Sequence, residues 1–371
     1  MSGAQIRKVA KKVVSLALRV SGIGAAGPHT LLQDQDALRG DFAGVDVTPM
    51  LLEWEDTLQS PAVPLDGGAD AFSQLQRVPQ RAVSLDIREP GYSFQHDMAF
   101  DSRRRFLTPM ARDFHLLPIM RKPLEKPDKK AGCIGFFAND ASNYYHWMCW
   151  TLPLYNLYRE QGLLDKIDSF YVGHNSGNSY QSQTMDKLFP ESKRISGPIM
   201  ADRLIYAQLT TVTIMPKSFH QFVRSLYLTQ EPGPPARRLY VARGATKRRR
   251  VVGEERLIGS LESKRFEICK MDGLSIEEQA RLFSSAEIII APHGAALTNL
   301  IFAPAGCKVI EIFPAGYTKE YFYALADHSN ASYAYYRAGA VSASTGAREN
   351  ELDIHLDVDD FLKRAYDHLQ I

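Results

Sequence analysis

Beyond residue 132, short apolar runs alternate with amphipathic stretches, a pattern that predicts strands and helices in turn. Residues 133–138 read as a buried strand, 143–161 as a helix with Ser142 at its N-cap and Pro153 inside it, and 167–172 as a second strand. Residues 179–188 read as a short helix stopped by Pro190, and 203–209 as a further strand. After the proline-rich stretch 231–235 the pattern resumes. Residues 238–242, 266–271, 288–291 and 309–313 read as strands, and 254–262 and 275–286 as helices, the latter opened by a Ser275-x-x-Glu278 capping box. Strands and helices this closely spaced demand right-handed crossovers and a mostly parallel sheet covered on both faces. The expected fold class is therefore α/β, with the half beyond residue 231 doubly wound.

The earlier part of the chain is less regular. Residues 22–75 are rich in Gly, Pro, Asp and Gln and show weak periodicity; 82–87 is strand-like before the Pro90-Gly91 break, and the run Arg103, Arg104, Arg105 reads as a solvated loop. At about 100° per residue, Ile6, Val9, Ala10, Val13, Val14, Ala17 and Val20 share one helix face, with Arg7, Lys8, Lys11, Lys12 and Arg19 on the other. Such a helix suits the headgroup boundary of an anionic membrane, and equally suits docking on its own domain with its basic face solvated. The resulting domain plan is a basic amphipathic helix over 1–25, an α/β domain over 26–230, a second α/β domain over 231–345 and a helical tail over 346–371.

Composition narrows the class. With 371 residues, 45% hydrophobic and 23% charged, the chain is ordinary globular material of roughly two domains, which excludes disorder as the main state. A net charge of +2 gives no global field for coating nucleic acid, so an anion site has to be a local cluster. The four cysteines have no C-x-x-C spacing; free thiols, no zinc site and a reducing compartment are expected. No apolar run reaches the roughly 18–20 residues of a spanning helix, and a cytoplasmic location is expected, at the inner face of the plasma membrane if residues 6–20 engage lipid.

In an open parallel sheet, ligands bind beyond the carboxyl ends of the strands. Three segments fall there: Arg243 with the run Lys247, Arg248, Arg249, Arg250; Pro292 to Asn299; and Glu311. The small residues Gly294, Ala295 and Ala296 let backbone amides at a helix start approach a phosphate closely, and Arg243, Lys247 and Arg250 are candidates for the balancing charge. His293, Thr298, Asn299 and Glu311 complete the candidate set, each with an ordinary capping or packing role as the alternative. In the first half, Asn143, His146 and Trp147 sit at i, i+3 and i+4 on one helix face, an acceptor-side arrangement in which His146 is suited to taking a proton near neutral pH and Asp140 is the competing base.

Taken in order, Asn143-Tyr-Tyr-His146-Trp147, Tyr240-Val-Ala-Arg243, Arg249-Arg250-Val-Val, residues 274–279 and 282–286, and Ala291-Pro-His293-Gly-Ala-Ala-Leu-Thr-Asn299 through Glu311 resemble glycosyltransferase family 61 across 132–315. The resemblance implies a GT-B fold, two Rossmann-like doubly wound domains facing across a cleft, and inverting transfer from a nucleotide sugar, usually UDP-linked and held by the C-terminal domain. It looks like a member of the kind that builds bacterial capsule or surface polysaccharide, with a glycan or lipid-linked glycan as acceptor. The chain departs from the family pattern at Gly253, where Asn is usual, and at Ala242, where Ser is usual.

On that reading His146 is the base, with Asp140 second, and Arg243, Lys247 and the amides at Gly294 to Ala296 hold the diphosphate in place of a metal ion. No cofactor is expected. The two D-x-D spellings, Asp34-x-Asp36 and Asp357-x-Asp359, read as a solvated loop and a helix start. The rivals are a nucleotide-sugar epimerase or hydrolase on the same architecture, and a non-catalytic membrane-peripheral scaffold that binds a glycan or nucleotide. A nucleic-acid reader is disfavoured because the basic runs are short and lack interleaved aromatics.

Overall fold

The computed structural model describes residues 25–26, 46–88, 92–95, 98–100, 106–107, 127, 129–137, 143–172, 179–209, 214–229, 233–243, 248–339 and 352–371. The amphipathic segment 6–20, Asp34, Asp36, Asp140, Ser142 and Lys247 lie outside these residues. The strands, in chain order, are β1 (Ala25–Ala26), β2 (Asp46–Thr57), β3 (Ala62–Pro64), β4 (Arg77–Arg88), β5 (Tyr92–Gln95), β6 (Met98–Phe100), β7 (Phe106–Leu107), β8 (Lys129–Phe136), β9 (Ser169–Tyr171), β10 (Arg194–Ile195) and β11 (Ile199–Leu209). They continue with β12 (Arg237–Val241), β13 (Phe266–Cys269), β14 (Ala286–Pro292), β15 (Lys308–Phe313) and β16 (Ser332–Arg337). The α-helices are α1 (Tyr144–His146), α2 (Leu152–Glu160), α3 (Ser179–Leu188), α4 (Lys217–Tyr227), α5 (Glu254–Ser263), α6 (Ile276–Ser284), α7 (Tyr321–His328) and α8 (Val358–Leu369).

The chain is mixed α/β and groups into two compact units, each drawn from several stretches: 1–53, 81–142 and 154–210 form one, and 54–80, 143–153 and 211–371 the other. In the first unit β11 is the central strand. It runs parallel to β8, which continues in parallel to β9 and β10, and antiparallel to β4 and β5. The expectation of a Rossmann-like, doubly wound first domain is therefore met only in part. Parallel neighbours need a connection of about a dozen residues or more, so the short links from β5 to β6 and from β6 to β7 allow only antiparallel pairing, while β4 and β5 follow one another antiparallel to β11. Leu204 and Ile205 are fully buried, and the Tyr158 hydroxyl of α2 donates to the Phe136 carbonyl at 2.7 Å while accepting from the Ala207 amide at 3.1 Å, which ties the helix to β8 and β11.

The second unit holds a six-stranded, wholly parallel sheet in the order β13-β12-β14-β15-β16-β3. Its central strands β14 and β15 are almost continuously apolar and buried, as strands covered on both faces must be. The capping box forms as its spacing predicts: the Ser275 hydroxyl accepts from the Glu278 amide at 3.2 Å, and the Glu278 carboxylate accepts from the Ser275 amide at 2.7 Å. On one face of the sheet, Tyr240, Leu257, Leu261, Ile290, Ile310, Phe361 and Ala365 bury α5 and α8. Asp357 is the N-cap of α8 and accepts from the Asp360 amide at 3.1 Å, so the second D-x-D spelling is a helix start. Among the described residues no helix is long and apolar enough to cross a membrane. All four cysteines are free; burial pushes the Cys133 thiol up to about 11 and the Cys307 thiol up to about 12, so neither carries thiolate near neutral pH.

Candidate functional site

The segment following β14 is the centre of the candidate site. His293 continues the strand pairing through its amide, which donates to the Ile312 carbonyl at 2.8 Å, and the chain then enters a 3₁₀ helix, Ala295–Phe302, at Gly294. Gly294 has an extended φ of 178°, so its backbone places no demand for glycine. The demand comes from close approach: a Cβ there would lie 2.2 Å from Nη1 of Arg243, which donates to the His293 carbonyl. Arg243, just past β12, thus sits against the start of the 3₁₀ helix. Ala295 and Ala296 are half-buried, and as the first residues of that helix their amides have no partner within it. Burial pushes the Arg243 guanidinium down to about 10, with repulsion from Arg249 adding to the shift.

Beneath this edge lies a buried polar chain. His293 Nδ1 bonds one oxygen of the fully buried Glu311 carboxylate, and the Tyr333 hydroxyl donates to the other. This contact suits the tautomer in which Nδ1 donates to the carboxyl group and Nε2 keeps its lone pair. Burial holds the His293 pKa below the usual imidazole value; the Glu311 charge opposes that shift, and Arg249 and Arg243 reinforce it. Phe313, Tyr317, Tyr321 and Phe322 surround the His293 ring. Glu311 faces its neighbours in the sheet rather than solvent.

Thr298 and Asn299 are fully buried as well. Asn299 Nδ2 donates to Gln279 Oε1 at 2.7 Å and to the Ala296 carbonyl at 3.1 Å, and its Oδ1 accepts from the Tyr144 hydroxyl at 2.8 Å. The side chain therefore ties α1 and α6 to the 3₁₀ helix, and the expected contact with phosphate or sugar is not open to it. Among the cations the run is divided. Arg250 pairs with Asp353 in two-pronged fashion, Nη2 to Oδ2 at 2.7 Å, and its side chain is 65% exposed. Arg249, not in the expected donor set, is half-buried; burial lowers its pKa, and the nearby Tyr317 and Glu311 oppose that shift. Gly253 has a φ of 72°, a left-handed conformation that glycine and asparagine adopt most readily, which explains in conformational terms why glycine stands where the family has Asn.

The Asn143-Tyr-Tyr-His-Trp motif joins the same compact unit. Asn143, not Ser142, caps α1: its Oδ1 accepts from the Tyr145 amide at 2.9 Å and, more weakly, from the His146 amide at 3.4 Å. The helix then widens into a π turn over Trp147–Thr151 before resuming as α2. Pro153 accounts for this, since it cannot donate to the carbonyl four residues back and its ring crowds that position. Trp147 is 1% exposed and packs in the core, so it does not line a cleft as expected. Trp150 instead is half-buried and stacks on His146 at 3.9 Å between centroids and 10° between planes. Tyr145 bridges from this pair to α7, with Trp150 at 5.8 Å, Tyr321 at 5.3 Å and Phe322 at 5.6 Å. An unbroken set of aromatic rings thus leads from half-buried His146 to buried His293.

Three buried histidines of this unit, His220, His293 and His328, have their pKa lowered, first by burial. His220 Nε2 lies 2.9 Å from the Ser329 hydroxyl, and His328 Nε2 lies 3.0 Å from the Met215 carbonyl. A lowered folded-state pKa means that the unfolded chain takes up protons first as pH falls below about 6.5, so stability is full above that value and declines below it. The expected slope is up to about 1.4 kcal/mol per histidine per pH unit. Urea unfolding at pH 7.5, 6.5 and 5.5 checks this; a midpoint that is flat across the range would contradict it.

The family description Glycosyltransferase 61 matches residues 144–310, which span the Tyr144 to Trp150 stack, Arg243, Arg249 and the His293 segment. Among curated proteins, the chain is 34% identical over 94 residues to the beta-1,2-xylosyltransferase XAX1 of Oryza sativa subsp. japonica, covering 25% of this chain and 16% of that protein. It is 28% identical over 108 residues to the protein O-linked-mannose beta-1,4-N-acetylglucosaminyltransferase 2 of Bos taurus, covering 28% of this chain and 18% of that protein. The counterpart from Canis lupus familiaris is 28% identical over 112 residues, 29% of this chain and 19% of that protein. The matched stretch is thus less than a fifth of each relative's length. Over residues 144–310, the chain is similar to the glycosyltransferase 61 family.

Proposed function

We propose that the chain is a glycosyltransferase that moves a sugar, with inversion, from a nucleotide-sugar donor to a glycan acceptor. The observation that carries this reading is the close seat of Arg243 on Gly294, at the head of the 3₁₀ helix and above the His293–Glu311–Tyr333 chain. A guanidinium and first-turn amides at a strand's carboxyl end are suited to the charge that develops on a departing diphosphate. The named relatives transfer xylose and N-acetylglucosamine, which supports a UDP-linked donor. His146, flat on Trp150, is the proposed base for the acceptor hydroxyl, with Asp140 the rival. The proposed arrangement is GT-B-like, with a role in surface polysaccharide synthesis in the cytoplasm or at the inner face of its membrane, and with arginine charge rather than a divalent ion on the diphosphate.

A titration with UDP-, GDP- and CMP-sugars in EDTA, read by thermal shift, tests the donor reading, because a ligand that binds the native state raises its stability. One nucleotide class is expected to raise the melting temperature. Gly294→Ala is expected to abolish that rise while leaving the unliganded melting temperature nearly unchanged, since the added methyl displaces the flexible end of Arg243 rather than backbone. No response from the wild-type protein to any nucleotide sugar would sink the donor reading and favour a glycan-binding scaffold. Release of free sugar without acceptor would instead favour a hydrolase.

A further inference from the structure

Arg249 holds a costly position. Its φ is 55°, in the left-handed region that side chains other than glycine, asparagine and aspartate rarely enter. Its flanking cations point elsewhere: Arg248 is exposed, and Arg250 is engaged with Asp353 through both backbone and guanidinium. Arg249 is half-buried, and its Nε is sealed from water and has no hydrogen-bond partner among the described residues. The guanidinium lies within electrostatic reach of Arg243, His293, Tyr317 and Glu311. No hydrogen bond joins it to Glu311, whose oxygens are engaged with His293 and Tyr333.

Three unfavourable contributions therefore coincide at this half-buried side chain: a left-handed backbone, a guanidinium Nε with no hydrogen-bond partner among the described residues, and repulsion between the Arg249 and Arg243 guanidinium groups. Backbone strain of this kind collects at ligand clamps. A dianion seated between the two arginines would relieve the last two together and repay the first, since guanidinium groups pair with phosphate oxygens through charge-assisted, two-pronged bonds. We propose that Arg249 and Arg243 form a two-arginine clamp for the diphosphate of the donor, with Arg249 rather than Arg250 as the second arm. This rests on the nucleotide-sugar reading above and goes beyond it in assigning the clamp.

The test is Arg249→Asn, which keeps a residue tolerant of left-handed backbone, beside Arg250→Ala as the control. Binding of UDP and of inorganic pyrophosphate is measured by calorimetry, and melting temperature is measured without ligand. The expected result is a loss of roughly tenfold or more in affinity for both probes in Arg249→Asn, the size of one lost charge-assisted pair, with an unliganded melting temperature equal to or above that of the wild type. Arg250→Ala should bind both probes like the wild type. A merely structural arginine would show the opposite, a lower melting temperature with affinity retained, and that result overturns the clamp. Wild-type affinity for UDP in Arg249→Asn also overturns it. If the wild-type protein binds neither UDP nor pyrophosphate, the donor reading fails and the clamp with it, an outcome separate from failure of Arg249 alone.

Discussion

Glu311→Ala is expected to lower the stability of the folded chain by about 3–5 kcal/mol, the size typical of breaking a buried, hydrogen-bonded charge network. The carboxylate is fully buried in β15 and receives both the His293 ring and the Tyr333 hydroxyl. Its removal strands two donors inside the protein and opens a cavity between β14, β15 and β16, so the cost combines desolvation with lost packing. Urea denaturation of wild type and variant measures it directly. A loss below about 1 kcal/mol would mean that the two donors find other partners, and that the network is not what holds this part of the sheet. Tyr333→Phe removes one of the two donors and should cost less, about 1 kcal/mol, because Glu311 keeps its bond to His293.

His146→Ala is expected to leave donor affinity intact and to reduce turnover by about a hundred- to ten-thousandfold, the range for loss of a positioned general base. The split follows from placement. His146 stacks on Trp150 at the far end of the aromatic series from His293. Calorimetry with the donor and a transfer assay on the same protein give the two numbers. Turnover within tenfold of wild type would shift the base role to Asp140, whereas parallel loss of binding and turnover would mean that the ring serves the donor site.

Much of the second sheet is legible in the sequence because its strands are continuous apolar runs bounded by helices with clear punctuation. Residues 288–291 and 309–313 expand by only a few positions into β14 and β15, and Ser275 and Glu278 form the box their spacing implies. Where side chains are buried on every side the pattern fails: α7 is almost wholly buried and β16 nearly so, leaving no polar face to set a period. The candidate site divides similarly. Gly294 and Arg243 are legible as small and cationic residues at strand ends, but nothing in the run Lys247, Arg248, Arg249, Arg250 says which cation becomes half-buried. That is decided by a left-handed residue and by Asp353, 103 positions further on. Trp147 and Trp150 likewise sit on a π turn whose only trace in the sequence is Pro153.

The membership of β3 in the second sheet bears on how that sheet is assembled in time. Asp66, which follows β3, pairs with Arg337 at the end of β16 across 271 positions, and β3 itself closes the edge of the sheet beside β16. A ribosome exposes β3 long before its partner, so the strand edge must wait while most of the chain is made. Closing so long a loop is slow, and the unfinished edge of β16 stays open to other strands until it is closed. Substitutions in residues 62–66 should therefore reduce the yield of soluble protein more than they reduce the stability of what has already folded.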